Sequence, residues 1–408
     1  MTDSPAEARQ GRVEFTGSRN ELLGIILRGY LLMIPTIGLY RFWQATWKRR
    51  FYWRNTVIDG EPLEYTGNAS QLLLGFFFAL AFFLPIYVGL FVLSMQDVDY
   101  LVYGYAAAGA ILWFLAGYAI YRARDFRLSR TLWRGIRFDQ RGNALAYAAR
   151  RFLWSLAMIP TLGLLYPWMG SSLWRYRWRH TWYGDRHFDI AGNWRIIAAA
   201  YYPAYALNAL VLLGTFGWIS STGDLVSVGD YFMPGPTGLG LCACCVLVFA
   251  FSVAFYRTRV ASRMLSTVSA GEATLGMKLG AGALFGQFVL YIAAVVCLLI
   301  LLALAALIAL GGVFAAASAG GQAPDSDAVL SVFASGTANV TVLIGVYLII
   351  LGAFGLLAEL ILGVGWWKLL ARGATIDNPD SLYTAGATPE DRALVGQGLA
   401  DALNVGAY

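Results

Sequence analysis

His180 and His187 stand seven residues apart, with Asp185 and Asp189 beside the second of them. Imidazole and carboxylate are transition-metal ligands, so this is the first place where the chain could do chemistry. The spacing fits no helical ligand pair, and the first copy of the same segment carries Asn55 and Pro62 at the matching positions. These read as surface or interface histidines, and neither a metal nor another cofactor is expected. No Gly-x-Ser-x-Gly elbow, Walker-type loop or zinc-protease helix occurs. The expectation is therefore a chain that is not an enzyme; a lipid-modifying activity lacks any visible nucleophile.

Glu359 is the acidic residue deepest within an apolar stretch. A mid-helix carboxylate costs roughly 2.5–3.5 kcal/mol on membrane insertion, so it needs a partner or a task such as proton coupling. Trp366, Trp367 and Lys368 follow two turns later, so it also has a short way out to an interface. The third chemical feature is a set of arginine–aromatic belts, in which Arg49, Arg50, Arg54, Arg134, Arg137, Arg175 and Arg179 are interleaved with tryptophan and tyrosine. Such belts anchor helices at the headgroup boundary, and they suit anionic lipid headgroups or an anionic solute.

The elements that position these residues belong to a membrane. Of 408 residues, 58% are hydrophobic and 13% charged, with mean hydropathy +0.58. A soluble domain carries about 25% charged residues, so the polar surface is too small to cover a water-exposed fold. The net charge of +6 and pI near 9.1 reflect arginines flanking apolar spans rather than nucleic-acid binding. No secretory h-region is visible near the start. Cys242, Cys244, Cys245 and Cys297 lie inside apolar runs and read as small packing residues, without disulfides.

Six stretches are long and apolar enough to cross a bilayer: 72–94, 101–121, 194–216, 239–256, 284–314 and 340–365. They form three pairs. The loop inside each pair carries acidic residues and no Lys or Arg, whereas the segments between pairs are arginine-rich. That bias predicts a bacterial inner-membrane protein with both termini and the basic belts in the cytoplasm.

Residues 17–68 align without a gap onto 142–193, at a constant offset of 125. Each copy runs from an apolar stretch broken by Pro-Thr-x-Gly-Leu to a Trp/Arg belt and then a polar segment. Arginines on both sides of 145–168 disfavour a full crossing, and Pro and Gly permit a turn. The pattern predicts two short half-helices forming a re-entrant or in-plane hairpin, with kinked crossings in an eight-helix bundle as the alternative. After the belts come polar segments starting at Thr56, Thr131 and Thr181, with a weaker trace after Thr267; Asp59-Gly60 and Gly184-Asp185 are hairpin turn dipeptides. These read as cytoplasmic β-hairpins pairing into a small sheet.

The fold class expected is thus an all-α polytopic membrane protein with internal repeats, six full crossings, two broken segments and small β-hairpins. Its parts are an N-terminal segment (1–20), repeat 1 (21–141), repeat 2 (142–280), a third transmembrane pair (281–369) and a tail (370–408). The tail is expected to end in an amphipathic helix capped by Thr388.

With these residues in view, the chain resembles the YjgN-like family of bacterial inner-membrane proteins, a domain of unknown function. The resemblance rests on Pro-Thr-x-Gly-Leu-x-x-x-Trp at 35–43, Arg-Asn-Thr-x-x-Asp-Gly at 54–60, Thr-x-Trp-Arg-Gly-Ile-Arg-Phe at 131–138, and Gly-Gln-Gly-Leu-Ala-Asp-Ala at 396–402. His180 departs from the motif's Asn. The resemblance implies an inner-membrane location and no activity.

Broken helices in duplicated halves point to a solute site at mid-membrane depth. The sequence therefore predicts a transporter or channel whose path is lined by Pro35, Thr36, Gly38, Pro160, Thr161, Gly163 and Glu359. The alternative is a membrane scaffold or sensor that recruits a cytoplasmic protein through its hairpins.

Overall fold

The computed structural model describes residues 9–93, 95, 98–228, 231–318 and 337–387. The amphipathic helix expected after Thr388 lies outside them. Among the described residues, six helices are long and apolar enough to cross a membrane: Ala69–Leu93, Val102–Ser129, Trp194–Thr222, Pro236–Leu265, Ala281–Ile308 and Ile344–Gly373. Their apolar faces are largely exposed, as lipid-facing surfaces are. The chain has the architecture of a polytopic helical membrane protein. It divides into two compact units, one made of residues up to Gly282 together with those from Lys368 onward, the other of Ala283–Trp367.

The expectation of an all-α fold with a small sheet needs correction, because the strands of the first unit close into a ten-stranded barrel. In chain order these are β1 (Gln10–Phe15), β2 (Thr56–Ile58), β3 (Glu61–Tyr65), β4 (Thr131–Trp133), β5 (Ile136–Gln140), β6 (Thr181–Tyr183) and β7 (Arg186–Ile190), then β10 (Val268–Ala270), β11 (Ala273–Met277) and β12 (Ala374–Asp377). All neighbours are antiparallel, and β1 pairs with both β2 and β12 to close the ring. A separate hairpin, β8 (Leu225–Val228) with β9 (Tyr231–Pro234), joins two long helices. Isolated hairpins of three- and five-residue strands expose unpaired edges, and closure removes them. The segments 1–20 and 370–408 therefore each contribute a strand. The turns are cut for this: Asp59–Gly60 and Arg134–Gly135 have positive φ at both residues, the pattern of the tight type I′ hairpin.

Helices leave and rejoin the barrel at adjacent strands. Between β1 and β2 run α1 (Arg19–Met33) and α2 (Arg41–Arg54); between β3 and β4, α3 (Ala69–Leu93) and α4 (Val98–Ser129). Next come α5 (Ala144–Met158) and α6 (Tyr166–Arg179) between β5 and β6, and α7 (Trp194–Thr222) and α8 (Pro236–Leu265) between β7 and β10. The last excursion, from β11 to β12, comprises α9 (Ala281–Ser318), α10 (Thr337–Leu357), a π-helical turn at Ala358–Gly363, and α11 (Val364–Gly373). The short pairs have arms of 15 and 14 residues each. At 1.5 Å per residue an arm is roughly 22 Å long, short of a ~30 Å hydrocarbon layer. Both broken segments are thus two-helix hairpins whose two ends are fixed to the same barrel.

The tight turn between the arms follows from its sequence. Pro35 and Pro160 offer no N–H to continue the helix. Gly38 and Gly163, at φ 80° and 86°, then let the chain reverse, donating their N–H to Met33 O (2.8 Å) and Met158 O (3.0 Å).

Candidate functional site

The barrel encloses a cavity of about 270 Å³. Its wall is aromatic and aliphatic, with Trp133, Phe138, Tyr183 and Phe188 from the strands and Trp178 and Arg124 from the helices. The rings interlock: Phe138 and Tyr183 centroids lie 4.8 Å apart, Trp133 and Tyr183 5.5 Å. Burial pushes the Tyr183 phenol up to about 12, so it stays neutral and donates to Trp133 O at 3.0 Å.

One cation reaches this wall. Arg124 donates through Nη1 to Gln140 Oε1 (2.9 Å), Thr181 Oγ1 (2.9 Å) and Arg177 O (3.2 Å), and its guanidinium lies 5.3 Å from the Trp178 ring. All three acceptors are neutral, and among the described residues no carboxylate is bonded to it. Its Nη2 and Nε donate to none of them. Trp133, 2% exposed, also has an unpaired indole N–H. An apolar chamber with unspent donors and a half-buried cation is matched to an anion with an apolar body.

The far end of the chamber is stoppered by the helical turn α12 (Asp380–Tyr383), whose Leu382 is buried against Trp133, Tyr183, Ala270 and Ala273. Polar clamps hold it. Arg9 bridges Asp380 (2.9 Å) and Asp59 (3.0 Å), the Tyr383 hydroxyl donates to Asp59, and the Arg134 guanidinium stacks 4.2 Å from the Tyr383 ring. Beyond α12, the Gly386 N–H donates to Asp185 Oδ1 at 2.9 Å. Tyr383→Phe removes one such bond without touching the chamber wall. It should raise the opening of the stopper roughly two- to tenfold with the melting temperature almost unchanged, as read by amide hydrogen exchange around Leu382.

The candidate path residues lie elsewhere. Pro35, Thr36 and Gly38 form the tip of the α1–α2 hairpin, and Pro160, Thr161 and Gly163 that of α5–α6. Thr36 and Thr161 donate their hydroxyls to Leu32 O (2.7 Å) and Ala157 O (3.0 Å), one turn back. At the second tip, Tyr201, Tyr202 and Tyr205 of α7 donate to the carbonyls of Gly163, Leu164 and Leu162. The outward side chains are apolar: Ile37 is 93% exposed and Leu162 78%. Cysteines placed at Thr36 and Thr161, with the four native ones removed, should resist membrane-impermeant maleimide from both sides; brisk labelling would put water at the tips. Glu359, half-buried, sits in the π-helical turn of the second unit, away from both tips in sequence.

The belt arginines fall into two groups. Arg49, Arg50 and Arg54 lie on α2 and Arg175 and Arg179 on α6, beside the barrel. Arg49 donates to Tyr65 Oη (3.1 Å), Arg54 pairs with Glu21, Arg179 pairs with Asp189 (3.3 Å), and Arg175 is exposed. Arg134 and Arg137 belong to the β4–β5 hairpin, on the barrel itself. His180 caps α6 with its Nδ1 2.7 Å from Tyr176 O, while His187 stands on β7 beside Trp182.

A family model described as a bacterial protein of unknown function (DUF898) matches residues 10–297. The chain belongs to that family. DUF898 is the YjgN-like family, so the resemblance carried by the Pro-Thr-x-Gly-Leu and hairpin motifs holds. The DUF898 match runs from β1 into α9 and includes every chamber residue except those of β12 and α12. No curated protein and no solved structure matches the chain.

Arg124 does not stand out in the sequence, because it belongs to a row of arginines closing a span. Helical spacing is the signal that could have found it: Tyr121, Arg124 and Leu128 recur at three and four residues and share one face.

Proposed function

We propose that this is a bacterial inner-membrane binding protein that holds a small apolar anion, such as an aromatic carboxylate, in the lumen of a cytoplasmic barrel. The observation that carries the reading is Arg124, a cation set into an apolar chamber with donors left over. About 270 Å³ accommodates on the order of ten non-hydrogen atoms, near the size of a bicyclic acid. The arginine-rich helix ends all adjoin the barrel, and the loop 217–238 at the opposite ends of α7 and α8 has no Lys or Arg. That bias supports a barrel and two termini on the cytoplasmic side. The short hairpins enter the facing leaflet part-way, apolar tips first, and wedge the barrel against the membrane. Because the stopper also engages Arg9, occupancy of the lumen is coupled to the segments next to both termini. This is the behaviour of a sensor or scaffold that signals to a cytoplasmic partner.

The test is titration of the full-length detergent-solubilised protein with 1-naphthoate and with its neutral amide, by calorimetry. The acid should bind at least tenfold more tightly than the amide, because only the carboxylate completes a charge-assisted pair with Arg124. Equal affinity for the two, or heat from neither, would overturn the reading.

A further inference from the structure

A second cavity, of about 720 Å³, opens between α1, α2 and β3. Its lining combines Arg28, Arg50 and Arg54 with Tyr40, Trp47 and Glu64. The charges are not equivalent. Arg54 is engaged by Glu21, also in the wall. Among the described residues Arg50 spends Nη2 alone, on Gly67 O (3.2 Å) and Asn68 Oδ1 (3.3 Å), and lies 5.5 Å from the Trp47 ring. Arg28 is exposed and has no ion pair or hydrogen bond among the described residues.

Both cations line the one cleft. Gln44 Nε2 donates to Ile26 O at 3.1 Å, which fixes the antiparallel level of the two helices. Arg28 on α1 and Arg50 on α2 both contribute to the wall of this one cleft, Arg50 while holding the connection between β3 and α3. The same hairpin is greasy beyond the cleft: Leu27, Leu31 and Ile34 are 50%, 70% and 79% exposed. Two guanidiniums in one wall, aromatic rings beside them and an apolar strip leading away match, in order, a phosphate, a glycerol and an acyl chain.

We infer that the α1–α2 cleft is a site for one anionic phospholipid, its phosphate seated between Arg28 and Arg50 and its acyl chains lying along Leu27, Leu31 and Ile34. The inference shares with the proposed function only the membrane setting of the short hairpins, and it does not involve the barrel lumen. The second copy supplies a contrast within the same chain. Leu153 replaces Arg28 there, and the smaller cavity of about 370 Å³ is lined by Arg150, Leu153 and Trp154. Arg150 is already stacked 4.8 Å from the Tyr176 ring. One retained lipid per chain is the expected stoichiometry.

The full chain is reconstituted in vesicles of phosphatidylcholine with a minor share of phosphatidylglycerol, extracted into mild detergent, and measured by native mass spectrometry. One phosphatidylglycerol per chain should remain. Arg28→Gln should lower its retention about tenfold, the loss of one charge-assisted contact. Glu64→Gln removes a wall carboxylate that has no ion pair among the described residues and should raise retention, an increase that no folding defect mimics. Millimolar glycerol phosphate should leave the bound lipid in place; its full displacement would reassign the cleft to a soluble phosphate and overturn the lipid assignment. Unchanged retention in Arg28→Gln, or a decrease in Glu64→Gln, would overturn the site itself. Because 1-naphthoate titration reads the lumen alone, failure of the lipid site and failure of the proposed function are separable.

Discussion

Arg124→Met is expected to weaken carboxylate binding in the lumen at least a hundredfold while leaving the protein as stable as before, or more so. The two effects have opposite signs because the arginine is not held by an ion pair. Its three Nη1 partners are neutral, and taking a guanidinium out of water costs several kcal/mol that neutral acceptors repay only in part. Methionine fills similar volume with apolar atoms. What it forfeits is small: the Thr181 hydroxyl already donates to Arg177 O at 2.8 Å, so the acceptor left orphaned is Gln140 Oε1, at about 1–3 kcal/mol. That loss roughly offsets the relieved desolvation or falls short of it. Binding behaves otherwise, since each charge-assisted bond to a carboxylate contributes about 1.5–3 kcal/mol and Arg124 is the cation of the chamber wall. Calorimetry with 1-naphthoate, paired with thermal unfolding in the same detergent, reads both. A variant that melts far below the parent would show that Arg124 is structural, and the case for a ligand would go with it.

Gly373→Val is expected to destabilise the barrel severely, by about 3 kcal/mol or more. Gly373 ends α11 where the chain turns into β12, and its carbonyl accepts the Lys278 N–H at 2.8 Å, extending the β11–β12 ladder. A Cβ at this position overlaps the Lys278 carbonyl oxygen, and backbone cannot swing aside as the end of a side chain can. The strand must shift, and with it the seam that closes the ring. Gly280→Ala is the control, because nothing lies within 4 Å of its added Cβ and it should be close to neutral. Comparing the two by chemical denaturation separates a clash at the seam from a general intolerance of larger residues. A Gly373→Val protein with the parent's midpoint would mean that β12 is not needed to hold the barrel.

The sequence is most legible where a local rule suffices. The apolar spans stand out by length alone. Asp59-Gly60 announces its hairpin because both turn residues need positive φ, and Pro35 to Gly38 announces a reversal because one residue ends a helix and the other permits the turn. The closure of the barrel is not legible, because it depends on pairings between residues far apart in the chain. Gly11 faces Ile376, for example, and Ser269 faces Asp189. Strands β1 and β12 also carry little signal of their own: Ala-Thr-Ile-Asp is too short for an alternating pattern to show. The chamber follows from closure, so the sequence draws attention instead to the tips and the belts. Arg134 illustrates the difference. A belt residue by composition, it stands at a hairpin turn and stacks on Tyr383 of the stopper.

The ring order has a consequence for how the protein is made. β1 precedes every one of the long helices in the chain, and β12, its partner across the seam, follows them all. At a synthesis rate of about 5–20 residues per second, β1 and later β11 each wait with one bare edge, β1 for roughly 20 to 70 seconds. A message cut short just before Ala374 yields a chain whose long helices have all been offered to the membrane but whose two strand edges stay open. Such edges invite pairing with other chains. Synthesis of β12 thus separates a closed protein from an adhesive one, and membrane quality control would have an unpaired edge to recognise.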